Sequence, residues 1–267
     1  MINNTYVPIS VIVPCFRCAN TIHRAVQSIE QQTKKPCEVI LVEDSSGDGT
    51  LEVLYEIERQ YSGWIKLITL PNNFGAATAR NLGWSVASQP YIAFLDSDDS
   101  WHPDKLLIQY QVMLENPDIS LCGHQTIWLK AGSSTPNITQ NASITKIYPY
   151  SLLYKNAFST PSVMLKRNIP VRFQSNKRYA EDLLLWQQIA FAGLGVLRIE
   201  SPLAYVYKPL YGATGLSANL WRMESAELDN LTVLYAEKSI GFTHYALATL
   251  FSIAKFIRRL VLIKLFN

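Results

Sequence analysis

Four short apolar runs, at residues 10–13, 39–42, 65–70 and 91–95, punctuate the first 130 residues of the chain. Longer segments of helical spacing separate them. Ile22, Ala25, Val26 and Ile29 recur at i, i+3, i+4 and i+7, Leu54, Ile57 and Tyr61 follow a similar rhythm, and 76–88 is rich in helix formers. Runs apolar at nearly every position must be covered on both faces, and strands alternating with helices do this by building βαβ units. The expected fold is therefore α/β: a mainly parallel sheet with helices on both faces. In such sheets ligands bind beyond the carboxyl ends of the strands.

The residues just past each run are thus the most informative part of the sequence. After the first comes Pro14-Cys15-Phe16-Arg17, after the second E-D-S-S-G-D-G-T, and after the fourth D-S-D-D. Carboxylates crowded at a strand end repel one another, and a hard dication relieves the repulsion while leaving positions open for phosphate oxygens. A solvated turn capping a helix that starts near Pro103 is the plain alternative. In the second tip, Asp48 and Thr50 are placed to cap the next helix, whereas Asp44 stands directly after the strand and can accept a hydrogen bond from a base edge or ribose. Between these tips, N-N-F-G-A-A-T-A-R-N-L-G places small residues and Arg80 at the start of a helix, where a ligand can approach closely.

Several classes are disfavoured by composition. A net charge of +3 on 267 residues is too small to make nucleic acid the main partner. Four cysteines without a second Cys or Cys/His pair supply neither a disulfide scaffold nor four zinc ligands, which suits a reduced cytoplasmic setting. By spacing alone, Cys15 and Cys18 could be a redox dithiol, half of a metal site, or pocket lining. The start of the chain has no basic region leading into an apolar core, so export is not expected.

Together, S-V-I-V-P-C-F-R-C-A-N-T-I, V-I-L-V-E-D-S-S-G-D-G-T, N-N-F-G-A-A-T-A-R-N-L-G and Y-I-A-F-L-D-S-D-D resemble the nucleotide-binding half of family 2 glycosyltransferases, which have the GT-A fold. The likeness is specific over residues 8–110 and looser to about 217. It implies an inverting hexosyltransferase that uses a nucleotide diphosphate sugar, with UDP as the expected carrier. It places Pro14, Cys15 and Phe16 around the uracil, Asp44 on the base, and Asn73, Gly75 and Arg80 in the element beside the donor. Asp96 and Ser97 then lie on the ribose side, and Asp98 with Asp96 holds Mn²⁺ or Mg²⁺. Where many members have Thr-Tyr-Asn, this chain has Cys15-Phe16-Arg17, and Glu43 replaces an Asp. On this likeness the two cysteines line the donor pocket.

The resemblance further implies that Asp182, in Y-A-E-D-L-L-L-W, is the catalytic base beside Glu181, although acids at a helix start are also favoured by the helix dipole alone. An Asp at its ordinary pKa of ~3.9 is a weak base toward an alcohol, so a late proton transfer is expected. Lys208, in Y-V-Y-K-P-L-Y-G-A-T-G-L-S, is expected to neutralise donor phosphate from a loop hinged at Gly212 and Gly215.

The expected organisation is a catalytic unit over 1–217, with its nucleotide half ending near 110 and its acceptor half over 111–217, followed by a helical extension over 218–267. Residues 131–149 read as a loop. The last segment is apolar but carries Lys255, Arg258, Arg259 and Lys264, too many cations for a spanning helix. It fits a basic amphipathic helix lying on the inner face of the cytoplasmic membrane, which would suit an acceptor carried on a lipid. Packing on the catalytic unit or dimerisation is the alternative. Two other functions compete: nucleotidyl transfer, which wants a Gly-rich phosphate loop that V-P-C-F-R-C does not supply, and an inactive nucleotide-binding scaffold in a polysaccharide assembly complex.

Overall fold

The computed structural model describes residues 5–130, 142–207 and 219–266, with side chains as far as Leu262. The elements run β1 (Tyr6–Cys15), α1 (Ile22–Glu30), β2 (Lys35–Glu43), α2 (Thr50–Gln60), β3 (Ile65–Thr69), α3 (Ala76–Val86), β4 (Tyr91–Phe94), β5 (Ser100–Trp101), α4 (Lys105–Glu115), β6 (Ile119–Trp128), β7 (Ile144–Lys146), β8 (Met164–Lys166), α5 (Glu181–Phe191), β9 (Gly195–Val206), α6 (Leu220–Ala236) and α7 (Phe242–Phe266). One sheet takes the order β3-β2-β1-β4-β8-β6-β9-β5, with β7 also paired to β9.

Its first half is parallel throughout, β1 lying between β2 and β4, and β3 beyond β2. The register aligns the strand ends, Cys15 with Glu43 and Glu43 with Thr69, so the loops after these strands share one edge. Successive residues of β1 and β2 point to opposite faces, and both faces are sealed. Val11, Val13, Val39 and Leu41 pack under α1, α2 and α4, while Ile12, Ile40 and Val42 pack under α3 and α5. This is why the strands read as unbroken apolar runs rather than alternating ones.

Beyond β4 the sheet becomes mixed: β8 is antiparallel to β4 and β6, β6 and β9 are parallel, and β5 and β7 run antiparallel to β9. β6 is hard to see in the sequence because G-H-Q-T interrupts it. Its polar side chains find partners there: buried His124 places Nδ1 2.7 Å from the Gln125 carbonyl, the Gln125 amide donates to Glu200 at 2.7 Å, and the Thr126 hydroxyl accepts from Ser159 at 3.3 Å. The stretch read as a loop over 131–149 contains β7 and begins a 3₁₀ turn at Pro149–Leu153. Lys208, Gly212, Gly215 and the expected junction near 217 lie outside the described residues.

The two C-terminal helices pack against α5, with Leu231, Leu234, Ile240 and Ala248 meeting Leu184 and Leu153. Among the described residues no helix is long and apolar enough to cross a membrane. α7 is amphipathic in an unusual sense. Its inward side carries polar groups: Lys255 pairs with Glu227 at 2.8 Å and the Ser252 hydroxyl donates to Glu224 at 2.8 Å. Its outward side exposes Leu250, Ile253, Ile257 and Val261. The cations of the expected basic amphipathic helix, of which Lys255, Arg258 and Arg259 fall on one face at 100° per residue, are therefore divided, because acids on α6 draw Lys255 inward while Arg258 stays in solvent.

α3 crosses β1 and β2 at Gly83, where an added Cβ would lie 2.5 Å from Ile12 Cγ2 and 3.3 Å from Val42 Cγ2. Gly83→Ala should therefore lower unfolding free energy by about 1–3 kcal/mol in urea titration through overpacking, despite the better helix propensity of alanine. An unchanged or raised midpoint would show that the contact yields freely.

Candidate active site

The aligned strand ends open onto a cavity of about 650 Å³. Pro14, Cys15 and Phe16 form one wall, Asp44, Asn73 and Gly75 a second, and Arg80, Asp96, Ser97 and Asp98 the floor. Thus every donor-site residue named from the sequence that lies among the described residues borders the same space. Asp182 does not. It borders a second cavity of about 550 Å³, whereas its neighbour Glu181 borders the first.

The first wall is shaped by the loop after β1. Arg17 adopts a left-handed conformation with φ of 50°, and its amide donates to the Ser46 hydroxyl at 3.0 Å. The Thr50 hydroxyl accepts from the Cys18 and Ala19 amides at 3.0 and 3.2 Å, so Thr50 ties this loop to α2; the N-cap is Gly49, not Asp48 or Thr50, and Asp48 before it accepts the Thr50 amide at 3.2 Å. Both thiols are free and border the cavity, and burial pushes the Cys15 thiol well up. Phe16 is 43% exposed, leaving an aromatic face available for stacking.

Glu43 and Asp44 use their carboxylates locally. Glu43 accepts the Ser45 and Ser46 amides at 3.0 and 2.6 Å, closing the turn where Ser45 has φ of 56°. Asp44 accepts the Phe74 and Gly75 amides at 2.8 Å each and the Asn73 side chain at 3.0 Å. It therefore positions the second wall as well as bordering the cavity.

Arg80 organises the floor. Its guanidinium is buried, lies over the Phe173 ring, and donates to Asp96 at 2.7 Å and Glu181 at 3.0 Å. Burial opposes its charge, but the two carboxylates outweigh burial and hold it protonated. Burial also raises the Asp96 pKa, with Arg80 opposing and Asp98 adding to the rise. Asp99 is pushed up to about 9 by burial and by Asp96 and Asp98, so it keeps its proton at neutral pH. Of the three acids at this tip, Asp96 and Asp98 face the cavity.

Among the described residues no cluster of three or more His, Cys, Asp or Glu side chains could hold a metal ion unaided. Asp96 and Asp98 nevertheless fit a hard dication: they offer oxygen donors in one cavity, and the charge of Asp98 adds to the burial that raises the Asp96 pKa. Two carboxylates completed by substrate phosphates are a usual coordination for Mg²⁺.

The N-cap of α5 is Ala180, a non-glycine residue in the left-handed region with φ of 50°. Its carbonyl accepts the buried Asn230 amide of α6 at 2.9 Å, so the C-terminal helices help hold the acid pair. Asp182 accepts the Leu183 amide at 2.7 Å and the Thr160 hydroxyl at 3.4 Å. Burial, followed by the charge of Glu181, pushes its pKa up to about 7. The expectation of an ordinary weak carboxylate is therefore corrected: desolvation makes Asp182 a considerably stronger base.

Three cavity or support residues do not stand out in the sequence. Lys177 and Arg178 bring positive charge to the donor cavity, and Arg178 donates to the Asn73 side chain at 3.0 Å. Arg24 reaches from α1 to the Asp98 carbonyl and lies over the Tyr207 ring at 3.8 Å. The K-R directly before Y-A-E-D was a usable signal; Arg24, on a helix whose apolar stripe dominates the pattern, carried none.

A parallel sheet half with its cavity beyond the strand ends, an acidic tip on the floor and a second acid pair opposite is the layout of a GT-A glycosyltransferase. Solved structures agree on the fold. A TarS fragment from S. aureus in complex with UDP-GlcNAc matches 94% of this chain and 72% of its own length at TM-score 0.70 and 18% identity. A mannosyltransferase from Pyrobaculum calidifontis in complex with GDP-Man and Mn²⁺ matches 92% and 73% at TM-score 0.64 and 18% identity. The profile of "Glycosyl transferase family 2" matches residues 10–182, and the chain belongs to that family. Among its relatives, a putative teichuronic acid biosynthesis glycosyltransferase of Bacillus subtilis is 32% identical over 80% of this chain and 83% of its own length. A UDP-Glc:alpha-D-GlcNAc-diphosphoundecaprenol beta-1,3-glucosyltransferase of Escherichia coli is 32% identical over 68% and 69%. The protein is a glycosyltransferase.

Arg80→Gln leaves Asp96 and Glu181 without their shared cation. The expected result is a loss of roughly 3–5 kcal/mol in urea unfolding, as for other broken buried pairs, together with weaker UDP binding. Wild-type stability and UDP affinity would remove Arg80 from its organising place.

Proposed function

We propose that the enzyme transfers a hexose from a nucleoside diphosphate sugar, with UDP as carrier, to a hydroxyl of a lipid-linked or cell-surface saccharide, inverting the anomeric centre. The observation that carries this reading is the division of labour at the start of α5: Glu181 borders the donor cavity and Asp182 the second cavity. A base so placed can reach an acceptor in one cavity while the donor occupies the other.

In the first cavity the base lies against Pro14, Cys15 and Phe16 with Asp44 at its edge, and Asn73, Gly75, Arg80, Asp96 and Ser97 flank the ribose and diphosphate. Asp98, with Asp96, would hold Mn²⁺ or Mg²⁺. When bound, that ion supplies charge neutralisation to the departing diphosphate. Lys177 and Arg178 approach the phosphates from the opposite side, and Lys208 is assigned to the same task.

Asp182 takes the proton of the acceptor hydroxyl as that oxygen attacks the anomeric carbon from the face opposite the nucleoside diphosphate. The new carbon–oxygen bond forms as the bond to the phosphate oxygen breaks, and the diphosphate leaves with the electron pair. The hydrogen bonds from Leu183 and Thr160 fix the direction of the carboxylate. A base whose pKa is pushed up to about 7 accepts a proton earlier along the reaction than an ordinary carboxylate.

The lipid-linked acceptor is supported by the relative whose name specifies a diphosphoundecaprenol acceptor and by the exposed apolar row of α7. We assign that row to the membrane interface on the cytoplasmic side, within a C-terminal extension over 218–267 beyond the catalytic unit of 1–217.

Three outcomes test this reading. Asp182→Asn should abolish transfer while leaving UDP affinity unchanged. Because the base works deprotonated, wild-type kcat should fall as pH drops below about 7 and level off above it; a flat profile from pH 5 to 8 would exclude Asp182 as the base. Asp98→Ala should lose the Mn²⁺-dependent component of UDP binding by calorimetry, whereas unchanged enhancement by Mn²⁺ would rule out that ligand. Leu250→Gln combined with Ile253→Gln should weaken sedimentation with phosphatidylglycerol vesicles at least ~10-fold, since each apolar side chain contributes roughly 1.5–3 kcal/mol when buried. Equal sedimentation would place the membrane contact elsewhere.

A further inference from the structure

Cys15 and Cys18 bring to the donor cavity a chemistry that nucleotide binding does not use. Both thiols are free, both border the cavity, and both are otherwise buried. The two sulfurs share a hydrogen bond, and the Ser97 hydroxyl gives Cys18 a second one. The bond with Cys15 draws the Cys18 thiol below its ordinary pKa against burial, with Asp48 and Asp98 also opposing, while burial keeps Cys15 protonated. One sulfur is thus the readier thiolate and the other its proton-bearing neighbour, the asymmetry of a dithiol that exchanges with disulfides.

The backbone holds the pair in place from both sides. Cys15 ends β1 in register with Glu43, and its carbonyl accepts the Asp44 amide at 2.9 Å. Cys18 opens the turn into α1: its carbonyl accepts the Thr21 and Ile22 amides at 2.9 Å each, and its amide donates to the Thr50 hydroxyl at 3.0 Å. Between them Arg17, with φ of 50°, turns the chain so that residues three apart bring their sulfurs together. A disulfide needs sulfurs about 2.0 Å apart, and thiols already in hydrogen-bond contact are a short movement from it. With Cys15 fixed in the sheet, the movement falls on Cys18 and on the Phe16-Arg17 segment of the cavity wall, and it takes Cys18 away from Ser97. The other cysteines do not border this cavity: Cys37 is exposed, and Cys122 is buried in β6, where burial pushes its pKa up to about 12.

We propose that Cys15 and Cys18 are a redox modification site: exchange with a small disulfide links them to each other and deforms the wall beside the nucleotide base, so oxidation shuts off donor binding and reduction restores it. The Cys18 thiolate attacks one sulfur of the reagent, and the first small thiolate released takes up the proton that Cys18 gave up. The Cys15 sulfur then attacks Cys18 Sγ, and its proton goes to the second small thiolate as it leaves. Two electrons pass from the cysteine pair to the reagent, which departs as two thiols. The effect on the donor rests on the reading of this cavity as the donor site; the disulfide itself does not.

The test uses the full chain carrying Cys37→Ser, which removes pairing between molecules through the exposed thiol, treated with glutathione disulfide. Intact mass without reductant should show a species lighter by two hydrogens with no glutathione attached, free thiols counted in denaturant should fall from three to one, and peptide mapping should place the bond between Cys15 and Cys18. UDP affinity by calorimetry should drop at least tenfold in this species and return with dithiothreitol, which also reports that the protein stays folded. Saturating UDP should slow the oxidation at least tenfold, because the reagent enters through the same cavity. Adding Cys15→Ser should arrest the exchange at one glutathione on Cys18. Survival of all three thiols, a bond to Cys122, or an oxidised species that binds UDP as tightly as the reduced one overturns the proposal. Failure of the reduced protein to bind UDP would instead strike the donor reading, while the mass measurement still decides whether the disulfide forms, so the two failures are distinguishable.

Discussion

The contact on which the rest depends is the guanidinium of Arg80 held between Asp96 and Glu181. Asp96 ends the parallel half of the sheet and Glu181 starts α5 in the other half, so a single buried cation joins the two sides of the site. At about 4 Å and an effective dielectric near 20, each such attraction is worth roughly 4 kcal/mol before desolvation is subtracted. Two acids share this one cation, which leaves the site poised to accept further positive charge beside Asp98. Glu181, anchored on one side, leaves Asp182 to face the other cavity and feel its neighbour's charge. In the reading proposed above, the different roles of the two carboxyl groups follow from which of them Arg80 holds.

Much of the N-terminal half was legible because its physics is local. Strands sealed on both faces read as apolar runs, helices show their period, and the residue after each strand falls on the shared edge once the register is parallel. Pro14, Asp44, Asp96 and Asp98 could therefore be gathered at one edge from the sequence, whereas Arg80, inside α3, was placed beside them by the family resemblance. The second half was less legible because its stability comes from distant partners. β6 hides behind polar residues whose partners are distant in sequence, Glu200 for Gln125 and Ser159 for Thr126, and β5 has only two residues. The raised pKa of Asp182 could not be read either, since desolvation depends on what packs over α5, including the Asn230 contact from a helix nearly fifty residues away.

α7 illustrates a further kind of illegibility. Its sequence contains both apolar residues and cations, a pattern that reads as a basic amphipathic helix. Glu224 and Glu227 on α6 change the outcome: they attract Lys255 and hydrogen-bond Ser252, and the helix turns its Leu250, Ile253, Ile257 and Val261 row outward. Buried Ala248 and Phe256 pack α7 on the fold alongside this polar seam, while the outward row stays apolar.

The measurement that bears most directly on the joined site is a crystal structure of the full chain with UDP and Mn²⁺. The expected result is uracil against Pro14, Cys15 and Phe16, the diphosphate between Asp98 and Arg178, and the terminal phosphate directed toward Asp182, with Arg80 still bridging Asp96 and Glu181. Nucleotide and metal bound together at a different surface, with this cavity empty, would contradict it.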